Sequence, residues 1–280
     1  MNSKLSYAIA VILGGSSAGF AHAAAAASDT ADANSDAIQE ITVTAQRRTE
    51  NMQDVPIQIQ ALTGATLTQL SVATFDEFVK FLFDRDVALE TKGKDYWYWH
   101  VAVQFDAKII AAHYIQLFRQ PEFLLERFTK VQLEEAFWAI PSHNLDCSVS
   151  KIISNSDLPL SLREECIRSM AELFKRLFAI EPLHTSVQMW WDSLCCDWDC
   201  GNRIRERGGE DLELQDVFFQ TLAEVLASDS WICQGAALHG LGHLHHSQTR
   251  ELIDRFISER SFLTEEHKEY ALAAARFEIL

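Results

Sequence analysis

Large aromatic side chains are almost missing from the first 74 residues, where Tyr7 and Phe20 stand alone; no tryptophan precedes Trp97 and no cysteine precedes Cys147. That absence marks a seam. An Ala-, Thr-, Ser- and Gln-rich stretch gives way to heavy, aromatic, charged segments at helical spacing, as though two sources of sequence were joined. Positive charge is also scarce: 24 Lys+Arg stand against 40 Asp+Glu, a net charge of −16. Such a surface repels phosphate backbones, so nucleic acid is not an expected partner. The apolar run Leu5–Leu13 is too short to cross a bilayer as a mature helix, and no transmembrane span is expected in the mature chain.

The overall composition, 48% hydrophobic and 23% charged, is that of a folded globular protein rather than a disordered one. A chain of 280 residues has room for two ordinary domains.

Residues 1–23 have the order of a secretory signal: Lys4, the apolar run, then Ala21-His22-Ala23 as a small-x-small cleavage site. Gly15-Ser16-Ser17-Ala18-Gly19 matches the pattern of a hydrolase nucleophile elbow. It lies in the segment to be removed, with no strand-turn-helix around it, and is set aside. Residues 24–39 read as a flexible linker with too little apolar surface to fold. Glu40, Ile41, Thr42, Val43, Thr44 and Ala45 then alternate polar and apolar side chains as an extended segment does. Its backbone groups suit pairing with the edge of a partner's sheet. Val55, Ile57 and Ile59 alternate likewise, Thr63-Gly64 supplies a turn, and Thr74 with Glu77 forms a capping box before Phe75, Phe78, Val79 and Leu82.

In that order, signal, ITVTA, QRRTENMQDVPI and opening helix, residues 1 to 82 resemble the start of a TonB-dependent outer-membrane receptor. The resemblance implies that residues 40–45 pair as a strand with the TonB protein. It further implies that 40–82 is the beginning of a plug, and that the chain is exported to the periplasm or outer membrane. The likeness stops after Leu82, where Phe83-Asp84-Arg85-Asp86-Val87 continues the helix into unrelated sequence. No later segment alternates for the roughly ten residues each barrel strand needs, so this chain alone is not expected to transport.

From 83 to 280 the periodicity predicts a mainly α module. Ser161 and Glu164 read as a second capping box ahead of Cys166, Met170, Leu173 and Leu177; Leu214 to Leu226 and Leu252 to Ile257 mark two more helices, and Thr264 caps the last. Trp97 to Phe118 is apolar nearly all round, as a central buried helix is, and Pro121, Pro141, Pro159 and Pro182 fall between helices. Ser230–Ile257 resembles one unit of a HEAT-like repeat, which implies an α/α superhelix. Gly240 and Gly242 each cost about 1 kcal/mol inside a helix, which the close approach of a neighbouring helix would explain.

Candidate chemistry centres on His239, His243 and His246 with Cys195, Cys196 and Cys200. Two histidines at i and i+4 share a helix face and suit zinc, but HGLGH lacks the glutamate that serves as general base in HExxH. Packing in the core explains the same residues. The six cysteines are irregularly spaced, with Cys195 and Cys196 adjacent, which is unlike a secreted disulfide framework. Arg203, Arg205 and Arg207 form an anion site or, with Glu206, Glu210 and Asp211 beside them, a solvated loop. Tyr96–Trp99 and Trp190-Trp191 either anchor a partner or pack in the core. Glu134-Glu135 and Glu164-Glu165 read as solvated helix faces, and no catalytic constellation or cofactor is identified.

The expected protein is therefore a disordered leader and truncated plug-like β/α fragment followed by a HEAT-like helical module that binds a protein partner. The alternatives are metal binding or metal-dependent catalysis at the His/Cys cluster, and a join of two coding sequences with no biological role. In that last case the module would be cytoplasmic.

Overall fold

In the computed structural model, residues 42–45, 48–51, 72–86, 96–99, 101–183 and 185–279 are described. The signal, the linker, Glu40, Ile41 and the strand predicted at Val55–Ile59 lie outside the described residues. The chain divides into two compact units, residues 1–60 and 61–280.

In the first unit, β1 (Thr42–Ala45) and β2 (Arg48–Asn51) pair antiparallel with Val43 opposite Glu50.

The second unit is mainly helical, with eleven α-helices among the described residues. Helix α1 (Phe75–Phe83) starts at the predicted capping box: Thr74 accepts from Glu77 N–H while the Glu77 carboxylate accepts from Thr74 N–H at 2.9 Å. It ends at Phe83 rather than running on through Asp84 to Asp86. Its Phe78 meets Tyr114 edge-on and its Phe83 meets Phe137, so the helix that spans the sequence seam packs into the helical core.

Trp97–Trp99 is a single 3₁₀ turn, and the helix predicted over 97–118 begins only at Ala107. Asp106 decides the start: its carboxylate accepts from the N–H groups of Lys108 and Ile109, two donors that a helix entry leaves without partners. Helix α2 (Ala107–Arg119) is followed by α3 (Phe123–Arg127), α4 (Lys130–Ala139) and α5 (Val149–Ser154).

Helix α6 (Leu160–Leu173) begins one residue after Pro159, so Ser161 lies within its first turn instead of capping it. Proline's fixed φ pre-sets the helix entry and displaces the predicted box. The helix runs on through a π-turn at Phe174–Phe178, closed by Ala179 N–H to the Phe174 carbonyl. That turn stacks Phe174 on Trp191 at 5.3 Å. Trp190 and Trp191 are fully buried, and Trp190 meets Phe118, Phe137 and Phe178.

The last third holds α7 (Asp192–Asp199), α8 (Gly209–Leu226), α9 (Trp231–Leu244), α10 (Thr249–Glu259) and α11 (Glu265–Ala275). Thr264 caps α11 as predicted, accepting from His267 N–H. Helix α9 is the hub: it packs on α7, α8 and α11, while α10 packs on α11 and α8. Its residues from Ala236 to Leu244 are all buried. No helix among the described residues is long and apolar enough to cross a membrane.

Candidate metal centre

The site is built where α7 and α9 touch. A Cβ placed on Gly240 would fall 2.6 Å from the Trp191 Cβ and 2.8 Å from Leu222 Cδ2. Only glycine permits that approach, which is the close contact its presence in a helix predicts. Gly240 and Trp191 are the chain neighbours of His239 and Asp192, so the same contact draws these two side chains together.

Asp192 is the first residue of α7, where the helix dipole favours an anion. His239 and His243, one turn apart on α9, face it. Their Nε2 atoms are 3.3 Å apart, and the Asp192 Oδ1 lies 3.2 Å from His243 Nε2 and 3.9 Å from His239 Nε2. This is the group of three His, Cys, Asp or Glu side chains, among the described residues, whose ligand atoms converge closely enough for a metal ion. Both histidines are buried and Asp192 is partly so. His239 first, with His243 beside it, holds the Asp192 carboxyl below the usual carboxylate range against the opposing effect of burial.

Each imidazole also has a polar neighbour on its Nδ1 side. His239 Nδ1 lies 3.1 Å from the Tyr270 hydroxyl on α11. His243 Nδ1 lies 3.7 Å from Asp199 Oδ2, and the other oxygen of Asp199 lies 3.0 Å from His245 Nε2. Burial raises Tyr270 above the ordinary phenol value, against a hydrogen bond from Gln188. His245 and Phe277 are the non-glycine residues with positive φ among the described residues, at 54° and 59°. Their rings stack at 4.5 Å. Left-handed backbone at such residues costs about 1–3 kcal/mol, and here it fixes the end of α9 so that His245 reaches Asp199.

The predicted cluster is therefore partly assembled. His239 and His243 meet, but His246 faces away: its Nε2 lies 3.0 Å from Asp216, its Nδ1 accepts from Gln248 N–H, and its ring stacks on Phe219. Arg205 joins the same Asp216, and burial holds His246 below the ordinary histidine value. Cys195, Cys196 and Cys200 are free thiols outside the ligand group. Burial pushes Cys196 up to about 11 and Cys195 well above its ordinary value, so neither is a ready thiolate.

The arginines are likewise committed internally, Arg203 and Arg207 to Asp211 and Arg205 to Asp216. Glu134 is not a solvated face residue: it accepts from the N–H and hydroxyl groups of both Thr185 and Ser186. The residues 42–45 of the expected partner-binding strand are in β1.

Asp192, Asp199 and Tyr270 escaped the sequence reading. One signal was available: Asp192 and Asp199 stand seven apart in WDSLCCDWD, two turns along one helix face. No protein-family model, curated protein sequence or solved structure matches the chain.

Proposed function

We propose that the helical unit binds one divalent transition-metal ion, zinc by preference, through His239, His243 and Asp192. The observation that carries this is the spacing of the three ligand atoms, 3.2, 3.3 and 3.9 Å. A tetrahedral zinc ion with bonds of about 2.0–2.1 Å needs ligand atoms about 3.3 Å apart. Two imidazoles and one carboxylate suit zinc, and three protein ligands leave a fourth position for water or an exogenous ligand. Asp199 and Tyr270 supply the outer partners that metal-bound imidazoles use to fix their orientation. HGLGH still provides no glutamate beside the ion to serve as general base, so the reading is metal binding with an open coordination position.

The test is metal analysis of the purified full chain, with competition against a chromophoric chelator. One zinc per chain is expected, lost in His239→Ala and His243→Ala. A content below about 0.1 zinc per chain after zinc loading removes the proposal.

A second reading concerns the surface. Tyr96, Trp99, Phe105 and Ile109 expose large apolar area, which supports a partner-binding face on a HEAT-like module. The receptor-like signal, plug start and residues 40–45 belong to the same reading, as an exported segment that pairs with TonB. Capture of the chain by the periplasmic part of TonB should be lost on Val43→Pro, and capture unchanged by it removes that half. The intact mass of periplasmic and cytoplasmic fractions tests export itself. A periplasmic species lacking residues 1–23 is expected, and a purely cytoplasmic product points instead to the adventitious join.

A further inference from the structure

Behind the metal site lies a pocket of about 340 Å³, lined by Trp231, Ile232 and Gly235 of α9, His267 and Tyr270 of α11, and Gln188 among others. Gly235 sits inside α9, where alanine would favour the helix. A Cβ placed on it would meet nothing within 4 Å, so no packing contact requires glycine there and the missing side chain leaves the pocket open. Trp231 and His267, both in its lining, stack on each other with 3.4 Å between ring centroids and 20° between planes. The volume is at the small end of ligand sites and suits a single-ring molecule. No lysine or arginine lines it, so an anion would find no counter-charge from those side chains. Glu266, its carboxylate, is exposed, leaving the Tyr270 hydroxyl, which already receives a hydrogen bond from Gln188, for neutral recognition.

The Tyr270 hydroxyl also touches the metal site, 3.1 Å from His239 Nδ1. A neutral imidazole that gives Nε2 to a metal carries its hydrogen on Nδ1. His239 then donates to the Tyr270 oxygen, and the phenol's own hydrogen is not claimed by His239. Without metal, His239 Nδ1 is free to accept that hydrogen instead.

We infer that this pocket binds a small planar neutral ligand bearing a hydrogen-bond acceptor, an aromatic amide in class, and that metal at Asp192, His239 and His243 strengthens its binding by freeing Tyr270 to donate. The inference rests on the metal-binding proposal above.

Benzamide is the probe, with benzoate as the anionic control, titrated into the full chain with zinc and after chelator treatment, and read by ligand-observed NMR. Benzamide should bind about tenfold tighter with zinc, the worth of one hydrogen bond, and benzoate should not bind. Gly235→Leu should abolish benzamide binding while retaining zinc. Ile232→Trp at the half-exposed rim does the same if the leucine variant does not fold. Tyr270→Phe should keep weak binding and lose its zinc dependence. Absence of benzamide binding to the zinc-loaded chain, binding unchanged by both blocking variants, or a zinc effect that survives Tyr270→Phe overturns the inference. Zinc content is measured on the same samples. A chain that holds zinc yet binds benzamide equally without it refutes the inference alone, whereas a chain that holds no zinc refutes the metal proposal and the inference with it.

Discussion

Gly240 and Trp191 approach until a Cβ on the glycine would stand 2.6 Å from that of the tryptophan, and this contact brings α9 against the start of α7. Gly240→Ala forces backbone or a fully buried indole to shift, an overpacking cost of about 1–3 kcal/mol that outweighs the roughly 1 kcal/mol gained in helix propensity. Gly235→Ala, with nothing within 4 Å, keeps the propensity gain of up to about 1 kcal/mol. Urea midpoints should therefore move in opposite directions for two identical substitutions five residues apart on one helix. Equal shifts would show that the close approach does not constrain α9.

Zinc should stabilise the folded chain in proportion to its occupancy. At a free zinc concentration about 100 times Kd the increment is about 2.7 kcal/mol, read as a rise in the melting midpoint. Asp192→Asn should shrink that rise by weakening the third ligand, with little change in the melt of the metal-free protein.

Under the proposed zinc binding, Asp199 is a neighbour of His243 and His245 rather than a ligand. Asp199→Asn is expected to weaken zinc binding about 10- to 100-fold while one zinc per chain is still reached at saturation. A change in stoichiometry, measured by chelator competition, would place Asp199 among the ligands instead.

Arg163 is 1% exposed, and its guanidinium pairs with Glu210 and donates to the Ile153 carbonyl. Glu210, on the first turn of α8, is half-exposed. Glu210→Gln removes the charge partner of a buried cation and should cost about 1–3 kcal/mol in urea unfolding. A neutral outcome would mean that water already satisfies Arg163.

His113 lies between the rings of Phe75 and Phe78, its Nε2 without a partner, and burial holds it below the ordinary value of 6.5. The unfolded chain therefore takes up its proton first as pH falls. Its contribution is fully present above 6.5 and is lost as pH drops through the depressed folded value. The urea midpoint should decline as pH falls below 6.5, and His113→Phe should reduce that decline. His246, shifted the same way by burial, keeps part of it.

Much of the local structure was legible because it is encoded by neighbours in sequence. The Thr74 and Glu77 box, the Thr264 cap and the two helices within Ser230–Ile257 are formed as their residues predict. Local rules failed where a stronger local signal competed: Pro159 set the entry of α6 in place of Ser161, and Asp106 cut the expected Trp97–Phe118 helix to its second half. Glu134 differs from a solvated face residue because its four donors come from Thr185 and Ser186, far along the chain and out of reach of local rules.

By itself the sequence determined a helical unit after a compositional seam, two histidines on one face of α9, and a glycine between them that demanded a close neighbour. Those follow from helical spacing and from the cost of glycine within a helix. Which neighbour answers that demand, and therefore which carboxylate meets the histidines, was left to the tertiary structure. Trp191 fills the space over Gly240 and carries Asp192 with it, while Tyr270 and Asp199 arrive from two further places in the chain. A metal centre needs donors converging from separate helices. Periodicity along one helix can set its own two ligands, but it holds no information about the third.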